Sequence, residues 1–319
     1  MDKTLVEIAR SHNLDKSLVQ NRIPKLFLCG GPTSPKGEKP GSLRGFLIQY
    51  LENSYPDLLS STILAEEAAT WYWSTEHFAN LVDFEEQIAA LSTLILLIVE
   101  SPGSMTELGA FSFVEVLRNK LYVVLEESYQ DDHSFIVLGP IEKIKREAES
   151  DRGRYYTYEW FTEPKKPAIN EDRAKKSSQL IVEEILQPAF TQVSKTEQFD
   201  SDNIGHRMLL VADLVSIGGA LLVSEIKELL GGLSVTVDKR QVSRDEVEQY
   251  LFILDNLGLV KRTHAGNCDY FVQIGEDLEF ITYTDRERLR LDINNALQRL
   301  SGYKNRTRAR ERAQKKVSQ

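Results

Sequence analysis

One short run near the middle of the chain has the residue types of a nucleophilic turn: Ser101-Pro102-Gly103-Ser104-Met105-Thr106-Glu107-Leu108-Gly109. A carboxylate beside a helix N-terminus stays ionised at neutral pH and can attack an electrophilic sugar carbon. The plainer reading makes Ser104 an N-cap and Glu107, three residues on, its capping-box partner. A second candidate lies at Gly30-Gly31-Pro32-Thr33. Glycines there can bring backbone N–H groups close to a ligand because they carry no Cβ; alternatively they only serve a loop that needs φ > 0.

Both runs follow strand-like segments. Thr93 to Val99 is unbroken in its apolar core, without alternation, as in a strand buried on both faces of a parallel sheet. Lys25-Leu26-Phe27-Leu28-Cys29 has the same character, and Ser42 to Tyr55 carries helical spacing (Leu43, Phe46, Leu47, Tyr50, Leu51). Strand, small-residue turn and helix is the unit at whose carboxyl edge open α/β sheets bind ligands. Neither turn is G-x-G-x-x-G, and no Walker lysine follows, so no dinucleotide or P-loop fingerprint is present. Further strands are expected at Ser61–Ala69, Leu121–Leu125 and Ser134–Pro140, with helices at Phe78–Leu91, Met105–Arg118 and Ser177–Phe190. Five strands alternating with helices predict an α/β fold with a doubly wound parallel sheet. Asp83, Glu85 and Glu86 read as a solvated face, one of which could orient a base or ribose hydroxyl. Trp71, Tyr72 and Trp73 read as core or lid, with base stacking the alternative.

The second half reads differently. His206–Ile217, Val223–Leu230 and Arg244–Asn256 are helical patterns, and Leu259–His264 with Tyr270–Ile274 is a hairpin across Ala265-Gly266-Asn267. Three helices and a two-stranded ribbon predict a winged helix. Asp245, Glu246 and Glu248 make its third helix acidic, which repels phosphates, so protein contacts or a wing-and-tail contact with nucleic acid are at least equal alternatives. The expected boundaries are 1–198 for the sheet domain, 199–284 for the winged helix and 285–319 for a basic helical tail.

At 319 residues, 41% hydrophobic and 27% charged, the chain has the composition of a soluble protein with two domains. The net charge of −9 conceals an asymmetry: residues 1–200 balance at −10, while 286–319 hold 11 basic and 3 acidic residues. An acidic body with a basic tail points to polyanion contact at the carboxyl end, through Lys304, Arg306, Arg308 and Arg310, with Lys261 and Arg262 on the wing. No stretch approaches the ~20 apolar residues of a membrane span. The mixed-charge first ten residues predict no secretory leader. Two distant cysteines, Cys29 and Cys268, predict neither a disulfide framework nor a metal site, and fit a cytoplasmic location.

Phe27-Leu28-Cys29-Gly30-Gly31-Pro32 resembles the first strand and glycine-proline turn of nucleoside 2-deoxyribosyltransferases, and Ser101 to Gly109 resembles their nucleophile turn. The resemblance implies that Glu107 is the catalytic nucleophile. Ser101, Gly103 and Ser104, with Gly30, Gly31, Pro32 and Thr33, would line the substrate site. The family's further carboxylate near the nucleobase has candidates in Asp83, Glu85, Glu86 and Glu100, of which Asp83 is taken as substrate-binding. With the winged helix and basic tail added, the whole chain is similar to deoxyribosyltransferase-like effectors of bacterial retrons. That implies an anti-phage toxin held by a reverse transcriptase and its branched RNA–DNA (msDNA), a homo-oligomer or larger assembly, and cleavage of an N-glycosidic bond in NAD or in nucleotides. NAD is expected as substrate and not as cofactor, because its nicotinamide is already cationic and leaves without a proton. The alternatives are a metabolic (deoxy)nucleotide transferase or N-glycosidase and a non-enzymatic DNA-binding regulator.

Overall fold

The computed structural model describes residues 4–20, 25–35, 37–131, 133–147, 154–192, 196–274, 279–300 and 302–317. Two compact units divide the chain: Ile23–Ser74 with Asn80–Val193, and Met1–Arg22 with Thr75–Ala79 and Ser194–Gln319. Residues 1–22 therefore belong with the carboxyl-terminal unit, not with the sheet as the expected boundary at 198 has it. The amino-terminal helix Leu5–Arg10 buries Leu5, Ile8 and Ala9, and a Cβ on Gly232 would meet Ala9 Cβ at 2.5 Å. Leu18–Val19 pairs antiparallel with Glu197–Gln198.

The sheet unit opens with β1 (Leu26–Cys29), α1 (Leu43–Ser54), β2 (Thr62–Leu64) and α2 (Ala65–Trp73). It continues through α3 (Leu81–Leu91), β3 (Leu94–Val99), α4 (Pro102–Phe113), β4 (Leu121–Glu126), β5 (Tyr155–Tyr158) and α5 (Glu171–Leu180). All five strands are parallel, in the order β2-β1-β3-β4-β5. With right-handed crossovers, the reversal of order between β1 and β3 sends helices to opposite faces and opens a crevice beyond the strand ends. Pleating divides the core accordingly. Leu26, Leu28, Leu94, Leu96 and Ile98 pack with α1 and with Ile181, Val182 and Ile185 beyond α5. Phe27, from the other pleat phase, meets Phe111 of α4 at 6.3 Å between ring centroids.

Two expected strands differ, and a third strand lies where none is expected. Only Thr62–Leu64 of the Ser61–Ala69 segment is extended; from Ala65 the chain is helical and carries Trp71, Tyr72 and Trp73. The Ser134–Pro140 run is helical through Val137–Ile141. Pro140 lacks the N–H that a central strand must donate. The fifth strand is instead Tyr155-Tyr156-Thr157-Tyr158, rich in the aromatic and β-branched residues that suit a pleated surface.

In the carboxyl-terminal unit, α6 (Ile204–Gly218), α7 (Val223–Gly232) and α8 (Arg244–Asn256) precede a hairpin of β6 (Val260–Ala265) and β7 (Cys268–Gln273). Leu221 bridges to Phe271, adding a short third edge. The basic tail is two helices, α9 (Arg286–Arg299) and α10 (Tyr303–Val317). Buried ion pairs anchor both. Arg286 reaches Asp213 of α6 at 2.7 Å, and Arg306 forks onto Glu225 of α7, with Nη1 at 2.8 Å from Oε2. No helix among the described residues is long and apolar enough to cross a membrane.

Candidate active site

Pro102 decides how α4 starts. Proline suits the first helical position, where no intrahelical N–H is needed, so Ser101 becomes the N-cap and Ser104 its third residue. The capping pair is thus Ser101 with Ser104: Ser101 Oγ accepts from Ser104 N at 3.1 Å, and Ser104 Oγ accepts from the backbone of Glu100 at 3.1 Å and of Ser101 at 2.9 Å. Glu107 lies a turn further in and is released from capping. Gly103 is exposed in the first turn.

The glycine turn serves the chain itself. Glu100, at the end of β3, accepts backbone N–H groups from Gly31 at 3.0 Å, Leu43 at 2.8 Å and Arg44 at 3.0 Å. A Cβ on Gly31 would stand 2.8 Å from Glu100 Cδ, which is why glycine is required there. Of the two glycines expected to bring N–H groups to a ligand, Gly31 thus gives its own to an internal carboxylate. Burial pushes Glu100 above the usual carboxylate range, and those three N–H groups oppose the shift. Pro32 contributes its carbonyl to Ser42 Oγ at 2.8 Å, and Ser101 Oγ donates to the Gly30 carbonyl at 3.3 Å.

Arg44, in the first turn of α1, is 3% exposed. Its Nη2 lies 2.5 Å from Glu66 Oε1 of α2, and the same oxygen accepts from Thr33 Oγ1 at 2.7 Å. The Arg44 Nε and the Glu107 Oε2 are both buried without a hydrogen-bond partner among the described residues. Burial raises the Glu107 pKa, while the Arg44 charge and the Cys29 thiol pull it down and Glu66 pushes it up again. Glu85 of α3 is 8% exposed, and burial followed by repulsion from Glu107 pushes its carboxyl up to about 8. Cys29 is also pushed well up, by burial first and Glu107 second, so its thiol keeps its proton. Glu66 thus binds the Arg44 guanidinium, Glu107 feels its charge, and Glu85 feels that of Glu107.

Asp83 is placed elsewhere: it is exposed, its backbone N–H bonded to the Asn80 cap at 2.9 Å and its Oδ2 accepting from Asn80 Nδ2 at 2.8 Å. Helical geometry separates the two residues, because positions 83 and 85 point to different sides of one helix. Arg44 and Glu66 were not anticipated. Ser42 marks the α1 N-cap, but nothing local distinguishes an arginine that will be buried, and Glu66 falls where a strand is expected.

The basic candidates of the carboxyl-terminal unit divide sharply. Arg306 is 3% exposed, bound to Glu225 and to the Ala220 carbonyl at 2.8 Å, and Arg310 is half-buried with Nη2 at 2.6 Å from the Gly218 carbonyl. Those two hold α10 in place and are not available as an outward-facing contact, because Ala309 and Ala313 on the same helix face are buried. Lys261 pairs with Asp255 at 2.8 Å and Arg262 with Asp269 at 2.5 Å. Lys304 and Arg308 are exposed.

The model of the STM3845 retron effector protein family matches residues 40–262, well over half of the chain, and the chain belongs to that family. It is a retron effector. It is 26% identical to the Escherichia coli protein named "Retron Ec73 putative ribosyltransferase/DNA-binding protein" over 254 residues, 72% of this chain and 75% of that protein. It is 33% identical to "Retron Ec86 putative ribosyltransferase/DNA-binding protein", also of Escherichia coli, over 123 residues, 38% of this chain and 37% of that protein.

Proposed function

We propose that this retron effector is an N-glycosidase, with Glu107 the nucleophile and NAD the substrate, acting as an anti-phage toxin. The carrying observation is the half-buried Glu107 carboxylate, whose Oε2 lacks a partner among the described residues and which lies under the influence of the Arg44 charge. A Glu107 oxygen bonds to the anomeric carbon as the C–N bond breaks, and the electron pair leaves with the base. Nicotinamide, cationic beforehand, departs neutral without a proton. Water then attacks the same carbon and frees Glu107, its proton passing to a carboxylate. The developing oxocarbenium charge is stabilised by the surrounding carboxyls. The names of the two relatives, each a "putative ribosyltransferase/DNA-binding protein", support glycosyl transfer.

A second reading, cleavage or transfer on (deoxy)nucleotides, gains support from Glu85. A carboxyl with a pKa of about 8 is still protonated at neutral pH and can protonate a neutral purine or pyrimidine as it leaves. One experiment separates the two: chromatography of a mixture of NAD, nucleotides and deoxynucleosides after incubation with the protein. Release of nicotinamide supports the first reading; release or exchange of purines and pyrimidines, with NAD intact, replaces it by the second. No turnover in any arm, with and without the retron complex, leaves a non-enzymatic regulator.

For the carboxyl-terminal unit the reading is a winged helix that, with α9 and α10, contacts the reverse transcriptase and msDNA. The relatives named as DNA-binding proteins and the exposed Lys304 and Arg308 support it. Assembly of several copies, completing the substrate site, belongs to the same proposal and is checked by solution mass measurement.

A further inference from the structure

Most cations expected to meet a polyanion are spent inside the carboxyl-terminal unit: Arg306 and Arg310 face inward, and Lys261 and Arg262 pair with Asp255 and Asp269. Unpaired positive charge gathers instead where the amino-terminal helix lies on α7. A Cβ on Gly232 would meet Ala9 Cβ at 2.5 Å and the Val6 carbonyl oxygen at 2.6 Å, so glycine is what lets the two helices approach. That approach brings Arg10, in the last turn of the amino-terminal helix, to the side of α7 that bears Lys227. The short hairpin of Thr236–Val237 and Arg240–Gln241 adds a third side, and a Cβ on Gly231 of α7 would lie 3.9 Å from Gln241 Nε2.

The result is a recess of about 370 Å³ whose polar lining is Arg10, Lys227 and Arg244, the Ser224 hydroxyl, the Gln241 amide and the Glu228 carboxylate. Arg244 Nε donates to Glu248 Oε1 at 2.8 Å, and Arg240 is held by Glu246 at 2.6 Å. Arg10 and Lys227 are exposed, and neither side chain has a hydrogen-bond or ion-pair partner among the described residues. Two unneutralised cations on one concave surface create a positive potential that an anion relieves. Arginine, lysine, a hydroxyl and an amide are also the donors that contact the phosphate oxygens of a nucleic-acid backbone. Val6 is the one apolar side chain of the lining among the described residues, too little for the apolar anchors of a docked peptide helix or strand. We infer that this recess seats a phosphate of a nucleic-acid strand, with Arg10 and Lys227 as the contacting cations. It rests on the nucleic-acid reading of the carboxyl-terminal unit and adds a face to which the basic tail does not contribute. Glu228 repels the bound anion and so restrains the affinity.

The test is the fluorescence anisotropy of a labelled mixed-sequence DNA duplex titrated with the full chain at several salt concentrations. Arg10→Ala combined with Lys227→Ala should weaken binding on the order of tenfold at low salt and reduce the salt slope by about 1, the value for one phosphate contact. Glu228→Gln should strengthen binding by about threefold, a gain that misfolding cannot mimic. An unchanged salt slope in the double variant, or no gain in Glu228→Gln, overturns the recess, while binding by the parent keeps the nucleic-acid reading. A parent without salt-sensitive duplex binding overturns both. A labelled polyglutamate peptide is the second probe. If it loses affinity in the double variant and the duplex does not, the occupant is an acidic protein segment and the phosphate is discarded. Should the double variant fail to fold, Glu228→Gln decides.

Discussion

Two buried guanidinium sites in this protein use the same residue types for different ends. In the carboxyl-terminal unit, Arg306 faces one acid, Glu225, in a forked pair that ties α10 to α7. In the sheet unit, Arg44 binds Glu66 and also acts on the charge of Glu107, beside which Glu85 retains a proton at neutral pH. One acid per guanidinium yields an inert strut; several acids per guanidinium, partly desolvated, yield shifted proton affinities suited to chemistry.

The sharpest break between the two sites is a substitution at Glu107. Glu107→Gln is expected to lower turnover by on the order of a thousandfold or more while leaving the melting temperature near that of the parent. Unchanged turnover, measured by product chromatography, would leave the crevice without its assigned nucleophile. Arg306→Ala should do the reverse: the unpaired buried Glu225 costs about 3–5 kcal/mol of stability by denaturant titration, with kcat per folded molecule preserved. Replacing both partners, as Arg306→Met with Glu225→Leu, should recover most of that loss.

The Glu85 proton gives a pH signature. Its folded-state pKa is about 8 against an ordinary 4.5, so the native state holds more protons than the unfolded chain in that window. Stability should therefore be fully present below pH ~4.5 as far as this group is concerned, and decline by a few kcal/mol at most as the pH rises towards 8. Glu85→Gln should flatten the profile, as followed by melts across that range; a parent profile that rises instead would exclude a protonated Glu85. The smallest effect belongs to Asp83, exposed on the Asn80 cap. Asp83→Ala should change stability by about 0.5 kcal/mol and leave turnover unchanged, whereas a large loss of turnover would move the substrate contact to the outer side of α3.

Much of the frame was readable before any coordinates. The unbroken run Leu94–Val99 and the matching Leu26–Cys29 are each buried throughout, and the α8 limits, Arg244 to Asn256, coincide with the apolar spacing. Such elements follow from periodicity and from capping chemistry a few residues away. The misread ones sit where local composition misleads. Ser134–Pro140 has strand-like residues but turns helical, and Ser104 looks like a cap until Pro102 claims the earlier start.

By itself, then, the order of residues determined a parallel-sheet unit, a turn presenting Glu107, and a helical unit with a basic end, because each depends on neighbours close in the chain. Only the tertiary structure decided that Glu100 fills the glycine turn, that Arg44 and Glu66 join Glu107, that Glu85 and not Asp83 is the buried carboxyl, and that Arg306 and Arg310 face inward. Those outcomes turn on desolvation and on partners tens of residues away, and neither quantity is written in local spacing.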